Sequence, residues 1–409
     1  MQNLLDDAAI RRLESYFDEI GEKLGNDSRR KSFAIYAMGI LGDGERKSVE
    51  PIAARACADP SAADAAHQSL LHFVSNARWS DQDIRRVAAS HAISAITEHG
   101  PIEAWIVDDT GLLKQGTHSV GVQRQYTGSA GKITNCQIAV SLSVATRDDH
   151  APIDFELYMP QSWMDDHKRR REARVPDALE FKTKPQLAMQ MMRRAVKAKI
   201  PRAVVLADAA YGSSVEFRQC ARDLGLHFAV GVDPKTTVWL LDDAAKRSEG
   251  AASVRDIASA LDELGEFRRC TWRKGTKTDL SARFAARRVI PAYEDASLPA
   301  DEREELWLLV EWRDGEAEPS NYFLSSLPKR MTKKQLIRIV MQRWRTERIY
   351  EDLKGELGFD HFEGRSFPGW HHHVSVVLCC YAFVIAERVR RFPPSARRPL
   401  EADAVHVAA

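Results

Sequence analysis

The sequence lacks a long hydrophobic run, cysteine pairs at metal-binding spacing and any excess of one charge. Its most apolar stretch, Val374–Ala386, is shorter than the roughly 20 residues of a membrane-spanning helix and includes Ser375, so we expect no membrane span. The six cysteines form no C-x-x-C pair, which argues against a zinc knuckle or a disulfide framework. We expect them to be reduced, buried thiols.

The charges nearly cancel, with 59 Lys and Arg against 58 Asp and Glu. A nucleic-acid partner would therefore have to be bound by local basic patches and not by the field of the whole chain. The N-terminus begins MQNLLDDAAIRRLESYF, which is acidic and helical in pattern and unlike a signal peptide. We expect a cytoplasmic protein.

The length of 409 residues, with 44% hydrophobic and 29% charged residues, predicts a globular chain of two or three folded units. Residues 1–98 are helix-prone throughout and lack alternating strand patterns, which predicts an all-α domain of at least four helices. After Gly100 and Pro101, short apolar runs and helical segments alternate. The predicted class of this second part is α/β.

The α/β part is predicted to span residues 99–390, with an inserted subdomain at about 233–319 where the alternation is lost. Thr332 can cap a helix that we expect to run without a break to about Leu357. Residues 391–409 are rich in Pro, Arg and Ala and are predicted to be a disordered tail. The predicted strands and shorter helices are Ala104–Val107, Cys136–Val144, Ile153–Leu157, Lys182–Lys197, Ala203–Ala207, Val215–Leu224 and His227–Val232.

Two aspartates directly follow buried strands. Asp108 ends the run Ala104–Val107, and Asp208 ends the run Ala203–Ala207. In an α/β sheet, ligands bind at the carboxyl ends of the strands, so these carboxylates could share a cation. A hard cation such as Mg²⁺ takes a few carboxylates together with water and substrate phosphate, which is the composition of a phosphoryl-transfer site.

A third acid can come from the C-terminal helix. Arg343, Glu347 and Lys354 are four and seven residues apart, which places them on one face if the helix is continuous. Glu347 would bind the metal while the two cations hold phosphates. Glu351 is the rival ligand, and a solvated helix with internal ion pairs is the alternative for the whole face.

Each aspartate alone could also be an ordinary turn residue at the end of a strand. A phosphatase of the aspartyl-phosphate type is a further alternative, since its nucleophile loop is similar to residues 107–111. That loop needs a second Asp two positions after the first, and Thr110 stands there.

Two basic clusters contain aromatic residues and predict DNA contacts, although each could be only a solvated face. One follows Trp163 and includes Lys168, Arg169 and Arg170; the other spans Arg268–Arg288 and includes Arg273 and Lys274. We expect His67 and His72 to be half-buried helix residues. The triplet His371–His373 is interpreted as a polar helix start, because three consecutive side chains point in different directions and cannot share a metal.

Taken together, these motifs resemble the DDE transposases of bacterial insertion sequences, most closely the insertion sequence 701 family. The resemblance covers nearly the whole chain, and the segments that carry it are residues 108–111, 124–128, 135–137, 207–212, 343–358, 364–366 and 370–373. It implies a fold with an RNase H-like catalytic core, and it implies that Asp108, Asp208 and Glu347 are catalytic and bind Mg²⁺, for which Mn²⁺ can substitute.

The related Tyr-Arg-Glu-Lys signature maps onto Arg343, Glu347 and Lys354, and its Tyr position holds Val340. The resemblance implies that these cations and Arg124 contact DNA, and Trp344 is the nearest aromatic residue that could stack on a displaced base. The helical N-terminal domain would bind DNA, with Arg29, Arg30, Lys47 and the segment 67–70 as candidate contacts.

The resemblance implies a DDE transposase that binds the ends of a mobile element, cleaves them and joins them to target DNA. The partners would be double-stranded DNA and a second copy in a homodimer, in a cytoplasmic, nucleoid-associated setting. The alternatives are an RNase H-like nuclease without strand transfer and a catalytically decayed repressor that binds DNA ends.

Overall fold

A computed structural model of the chain describes residues 6–241, 248, 250–273, 279–292 and 303–393. The described residues separate into two compact units. The first unit contains the residues up to Ile102, then Asp109–Leu187, then those from Arg345 on. The second unit contains Glu103–Asp108 and Ala188–Trp344. The chain has a mixed α/β fold with N-terminal helices.

The first unit is built mainly of helices. They are α1 (Asp7–Leu24), α2 (Asp27–Leu41), α3 (Val49–Ala56), α4 (Ala63–Ser75), α5 (Asp81–Ile96), α6 (Gln161–Met164), α7 (His167–Glu172), nearly all of α13 (Trp344–Gly355) and α14 (Phe367–Arg391). Side chains that accept backbone N–H groups cap several of them, among them Asp6, Asn26, Ser80 and Ser366. The helical prediction for the first hundred residues is confirmed.

Helix α14 is the core of the first unit and packs against α5 and α2. Of the described helices, it alone is long and apolar enough to cross a membrane, but 83% of its most apolar window is buried. Such burial is typical of the core helix of a globular fold.

The first unit also contains an antiparallel group of strands. These are β2 (Gln123–Thr127), β3 (Lys132–Ala145) and β4 (His150–Tyr158), together with the second half of β1 (Ala104–Leu113). The early part of β3 pairs with β2 and its later part pairs with β4.

The second unit is built on a sheet. Its strands are the first half of β1, then β5 (Val204–Ala207), β6 (Phe228–Gly231), β7 (Thr237–Leu240), β8 (Ala252–Ser253), β9 (Arg268–Arg273), β10 (Leu280–Pro291), β11 (Leu306–Trp312) and β12 (Asn321–Ser325). The order is β1-β5-β6-β12-β11-β10-β7-β8, with β9 on β10. The first three strands are parallel and the others are antiparallel.

The helices of the second unit are most of α8 (Lys184–Lys197), α9 (Ala209–Gly212), α10 (Val215–Asp223), α11 (Val254–Glu263) and α12 (Lys333–Val340). Most of the predicted strands and helices between residues 104 and 232 are confirmed with small changes of boundary, but the first strand, predicted to end at Val107, continues through Asp108 to Leu113. The segment predicted as an insertion, residues 233–319, adds the strands β7 to β11 to the sheet of this unit.

The domain boundaries at residues 98 and 390 stay predictions. Residues up to Ile102 belong to the same compact unit as Asp109–Leu187 and the residues from Arg345 on. Of the predicted tail, Arg391 is the last residue of α14, and residues 394–409 lie outside the described part of the chain.

The prediction of one continuous helix after Thr332 is wrong. Thr332 does form a capping box with Gln335, but α12 ends at Val340. A 3₁₀ turn over Met341–Arg343 follows, and α13 starts at Trp344. In the second unit, Gln342 donates to Glu103, directly before β1, and Arg343 donates to Asp108 in β1. These side-chain contacts favour the 3₁₀ turn over a continuous α-helix.

Candidate active site

Asp108 and Asp208 lie just beyond the paired part of two parallel strands in the second unit. Ile106 of β1 lies opposite Leu206 of β5, and each aspartate follows two positions later. Neighbouring strands lie ~4.8 Å apart. The prediction that Asp108 directly follows its strand is wrong, because β1 continues to Leu113, whereas Asp208 does follow the end of β5.

The turn that carries Asp208 depends on a close approach of the backbone. Asp208 accepts the backbone N–H of Ala210 at 2.9 Å and so caps the short helix α9. Gly231 at the end of β6 lies against this turn, and a Cβ on Gly231 would be 2.8 Å from the nitrogen of Ala209. Glycine at 231 allows the third parallel strand to pack beside the carboxylate.

Asp108 carries an ion pair in the same unit. Its side chain is only 12% exposed, and Nη1 of Arg343 donates to its Oδ2 at 2.8 Å. The sequence predicted that Arg343 holds a phosphate, and nothing local in the sequence indicated this contact with a residue 235 positions away. The carboxylate therefore orients the guanidinium, which stays 31% exposed.

The adjacent Asp109 belongs to the first unit and has a different partner. Nζ of Lys184, at the start of α8, lies 2.8 Å from its Oδ2. Lys184 is a residue that the sequence analysis missed, because its helix begins 75 positions away. Asp109 is therefore already neutralised within its own unit.

Glu347 and Lys354 lie on α13 in the first unit, seven residues apart and so on one face. Glu347 is exposed in the first turn of the helix. Lys354 instead donates to the hydroxyl of Thr110 at 2.7 Å and to the carbonyl of Gly111 at 2.8 Å. Burial lowers the pKa of its amine. The rival acid Glu351 forms an ion pair with Arg348.

The residues present fit a divalent cation at the strand ends. Within the described residues, no group of three or more His, Cys, Asp or Glu side chains could hold a metal ion. Mg²⁺, however, is often bound by only one or two carboxylates, with water and substrate phosphate as the other ligands. Asp108 and Asp208 supply those two carboxylates in one unit.

The basic cluster on α7 is partly used by the protein itself. Arg169 lies 3.8 Å over the ring of Trp163 and donates to the carbonyl of Thr117. Arg170 donates to the carbonyls of Pro176, Asp177 and Leu179. Lys168 is 84% exposed in its side chain, 4.0 Å from Glu172. Of the three predicted DNA contacts, Lys168 is the most accessible.

The other predicted DNA contacts have varied surroundings. Arg124 is exposed on β2. Arg273, at the end of β9, lies 3.5 Å over the ring of Trp344. Lys274 lies outside the described residues. Lys47 is buried and its amine donates to the carbonyls of Ile40 and Gly42, which end α2.

The interpretation of His371–His373 as a polar helix start is wrong. All three side chains are buried in the first unit, because α14 packs there along its whole circumference. His373 shows how burial is compensated: its Nδ1 lies 2.9 Å from the hydroxyl of Tyr36 and its Nε2 3.0 Å from the carbonyl of Gly358. Burial lowers its pKa to about 3. His72 is exposed, whereas half-burial was expected.

The sequence is similar to those of known protein families. The profile described as DDE superfamily endonuclease matches residues 19–279, and the one described as Transposase DDE domain matches residues 183–383. A probable transposase for insertion sequence element IS701 from Microchaete diplosiphon is 27% identical over 212 residues. That alignment covers 52% of this chain and 51% of the relative, so the chain spans about half the length of the curated relative it matches.

Among solved structures, the chain is similar to a cryo-EM structure of the piggyBac transposase synaptic complex with hairpin DNA. The TM-score is 0.45 at 11% identity, over 89% of this chain and 66% of that chain. The superfamily profile alone matches more than half of the chain. This chain belongs to the DDE superfamily of endonucleases.

Proposed function

We propose that the chain is a DDE transposase, which binds the ends of a mobile DNA element, cleaves them and joins them to target DNA. The observation that carries the proposal is that Asp108 and Asp208 lie just beyond the part of β1 and β5 in which these two parallel strands pair. The superfamily membership gives this pair its chemistry, and the similarity to the probable insertion-sequence transposase indicates the substrate.

In this proposal Asp108 and Asp208 bind a divalent cation, with Mg²⁺ as the physiological ion and Mn²⁺ as a substitute. When bound, such an ion stabilises the attacking and leaving oxygens of a phosphodiester. Glu347 is kept as the third acid, as the family resemblance implies. Arg343, held by Asp108, presents a guanidinium to a flanking phosphate, for which its planar fork is suited.

An RNase H-like core is part of the proposal. Its support is the parallel set β1-β5-β6 of the second unit and the antiparallel pair β3 and β4 of the first, with β1 divided between the two. We further propose a homodimer on DNA, because two element ends have to be cut together, and a cytoplasmic, nucleoid-associated protein.

The test uses the purified full chain and linear DNA that carries the sequences flanking its own gene. The DNA is incubated with MgCl₂, with MnCl₂ or with EDTA, and the cleaved and joined strands are mapped. The expected result is cleavage at both ends and joined products with either metal, and none with EDTA.

Asp208→Asn is the matched control, since it removes a charge and keeps the shape. Cleavage without any joined product would instead support the nuclease alternative. Specific binding of the ends without metal-dependent nicking would support the decayed repressor and contradict the proposal.

A further inference from the structure

The β2–β3 hairpin of the first unit exposes an aromatic side chain on a surface that lacks acids. Tyr126 is 65% exposed, and Ile133, its cross-strand partner, is 61% exposed. From Thr110 to Arg147 the chain contains no Asp or Glu, although 58 acids are distributed over its 409 residues. The surface is therefore suited to an anion that also has an apolar or aromatic part.

A cation lies beside this pair on the same hairpin. Arg124 is exposed and lies two residues before Tyr126, so both side chains are on one face of β2. Lys132 is also exposed, but it directly precedes Ile133 and therefore points to the other face of the hairpin. A tyrosine ring beside an arginine is typical of single-strand nucleic-acid sites, in which a base stacks on the ring and cations hold the phosphates.

Hydrogen bonds fix the hairpin to other parts of the first unit. Asn135 donates to the carbonyls of Lys114 and Gly116, just after β1. Ser129, in the hairpin turn, donates to the carbonyl of Gly111 at 3.2 Å, which also accepts from Lys354. Glu347 lies two turns before Lys354 on α13, about 10 Å along the helix axis.

Helix α6 contacts the same hairpin, and the basic helix α7 follows it. Ser162 donates to Gln123 at 2.9 Å, and the indole of Trp163 donates to the carbonyl of Val122 at 2.8 Å. Arg169 reaches the carbonyl of Thr117. Helix α7 adds the exposed cation Lys168 but also Glu172, 4.0 Å from it, so the stretch without acids is that of the hairpin.

We propose that the exposed face of the β2–β3 hairpin is a stacking platform for an unpaired DNA base. Tyr126 stacks on the base, Ile133 supports its edge, and Arg124 holds a neighbouring phosphate. The inference rests on the proposed function, and it adds an unpaired strand of the DNA substrate as the ligand. DNA fits better than a second copy of the chain, because the surface carries cations and no acid.

The test measures binding of labelled DNA by fluorescence anisotropy, with EDTA present so that nothing is cleaved. The two probes are a blunt duplex and the same duplex with a single-stranded 3′ extension. Wild type is expected to bind the extended duplex more tightly. Tyr126→Ala is expected to weaken that binding by about tenfold and leave the blunt duplex unchanged.

Three variants sharpen the result. Tyr126→Phe keeps the ring and should retain the preference, whereas Tyr126→Leu keeps apolar area without a ring and should lose it. Phe392→Ala removes another aromatic residue, 55% exposed, and is the matched control. Thermal unfolding checks that each variant folds, which we expect because Tyr126 is exposed.

The platform would be refuted if Tyr126→Ala bound both probes as wild type does, or if Tyr126→Leu kept the preference. Sedimentation without DNA gives a third outcome: a dimer that Tyr126→Ala dissociates would make this face a contact between copies. A different result would contradict the proposed function and leave the platform intact. A chain that binds extended DNA through Tyr126 but never joins ends keeps the platform and loses the transposase assignment.

Discussion

Two groups of buried or half-buried polar side chains differ in the partners that the protein gives to their polar atoms. His373 in the first unit has a hydroxyl and a carbonyl at its two ring nitrogens, an arrangement that a neutral imidazole satisfies fully. Asp108 and Asp208 in the second unit instead lie on neighbouring strands, where Arg343 donates to Asp108 and the N–H of Ala210 donates to Asp208. An ionised carboxylate accepts at both oxygens, about four lone-pair sites in all, so such donors do not exclude a bound cation.

The comparison separates polar groups that serve the fold from those that serve the chemistry. A matched partner at each polar atom indicates a structural residue, since unsatisfied buried groups are costly. Two carboxylates on neighbouring strands, one of them beside a partly exposed arginine, indicate a site. The predictions below test this separation, from the largest expected effect to the smallest.

The largest effect is expected for Asp208→Asn. Asparagine can still accept the N–H of Ala210 and cap α9, so the fold should remain, while the metal loses a charged ligand. Cleavage of element-end DNA should fall by at least about a thousandfold, since a bound metal contributes several kcal/mol to the transition state. Gel assays of cleavage and DNA binding on the same preparation measure both effects.

Asp108→Asn should be as inactive as Asp208→Asn but less stable than that variant, because it leaves Arg343 without its carboxylate. Asp109→Asn is the control, since Asp109 is paired with Lys184 in the other unit. Full activity of Asp108→Asn together with an inactive Asp109→Asn would show that Asp109, and not Asp108, is the catalytic acid of β1.

The histidines of α14 predict a loss of stability in acid. Burial lowers the folded-state pKa of His373 to about 3 and that of His372 to about 4, below the ordinary value of 6.5. The unfolded chain therefore binds protons first as the pH falls. The stabilisation is complete above about pH 6.5 and decreases below it, by up to about 1.4 kcal/mol per pH unit for each histidine.

Denaturant unfolding between pH 6.5 and 5 measures this slope in a window where most carboxylates stay ionised. His373→Gln should reduce the slope by about one proton and lower the stability at neutral pH. His72→Gln, on the exposed side of α4, should change neither. An unchanged slope in His373→Gln would show that this histidine is protonated in the folded protein.

A local sequence pattern indicated the two candidate acids but not their partners, for a physical reason. Asp108 and Asp208 each follow a short apolar run, and that pattern is local. The pairing of Arg343 with Asp108 depends on a residue 235 positions away, and so does the 3₁₀ turn beside it. Burial of His371–His373 likewise depends on α2, α4 and α5 packing around α14, which no spacing within the triplet reveals.

A moderate effect is expected for Lys354→Met. In a buried place, the substitution removes the ammonium that donates to the hydroxyl of Thr110 and one of the two side-chain donors to the carbonyl of Gly111. The first unit should lose about 1–3 kcal/mol of unfolding free energy, the cost of unsatisfied buried groups. Chemical denaturation of the full chain measures it.

Lys168→Met is the matched control, because that amine is 84% exposed. Its stability should change by no more than about 0.5 kcal/mol, and only its DNA affinity should fall, with a smaller salt dependence. If Lys354→Met kept full stability and lost only DNA affinity, Lys354 would belong with the residues that serve the chemistry, as the family signature implies.

The smallest effect concerns Trp344, which lies at the boundary between the two categories. The guanidinium of Arg273 covers one face of its ring at 3.5 Å, so that face is unavailable to a base. Arg273→Gln should cost about 0.5–1 kcal/mol of stability, the usual value of an exposed cation–π contact. If Trp344 serves the fold, Arg273→Gln and Trp344→Leu should lower stability by similar amounts, and the double variant should cost little more than either. If Trp344 stacks on a displaced base, Arg273→Gln should instead uncover the ring and strengthen binding of extended DNA, whereas Trp344→Leu should weaken it. Opposite signs in the binding assay would move Trp344 to the residues that serve the chemistry.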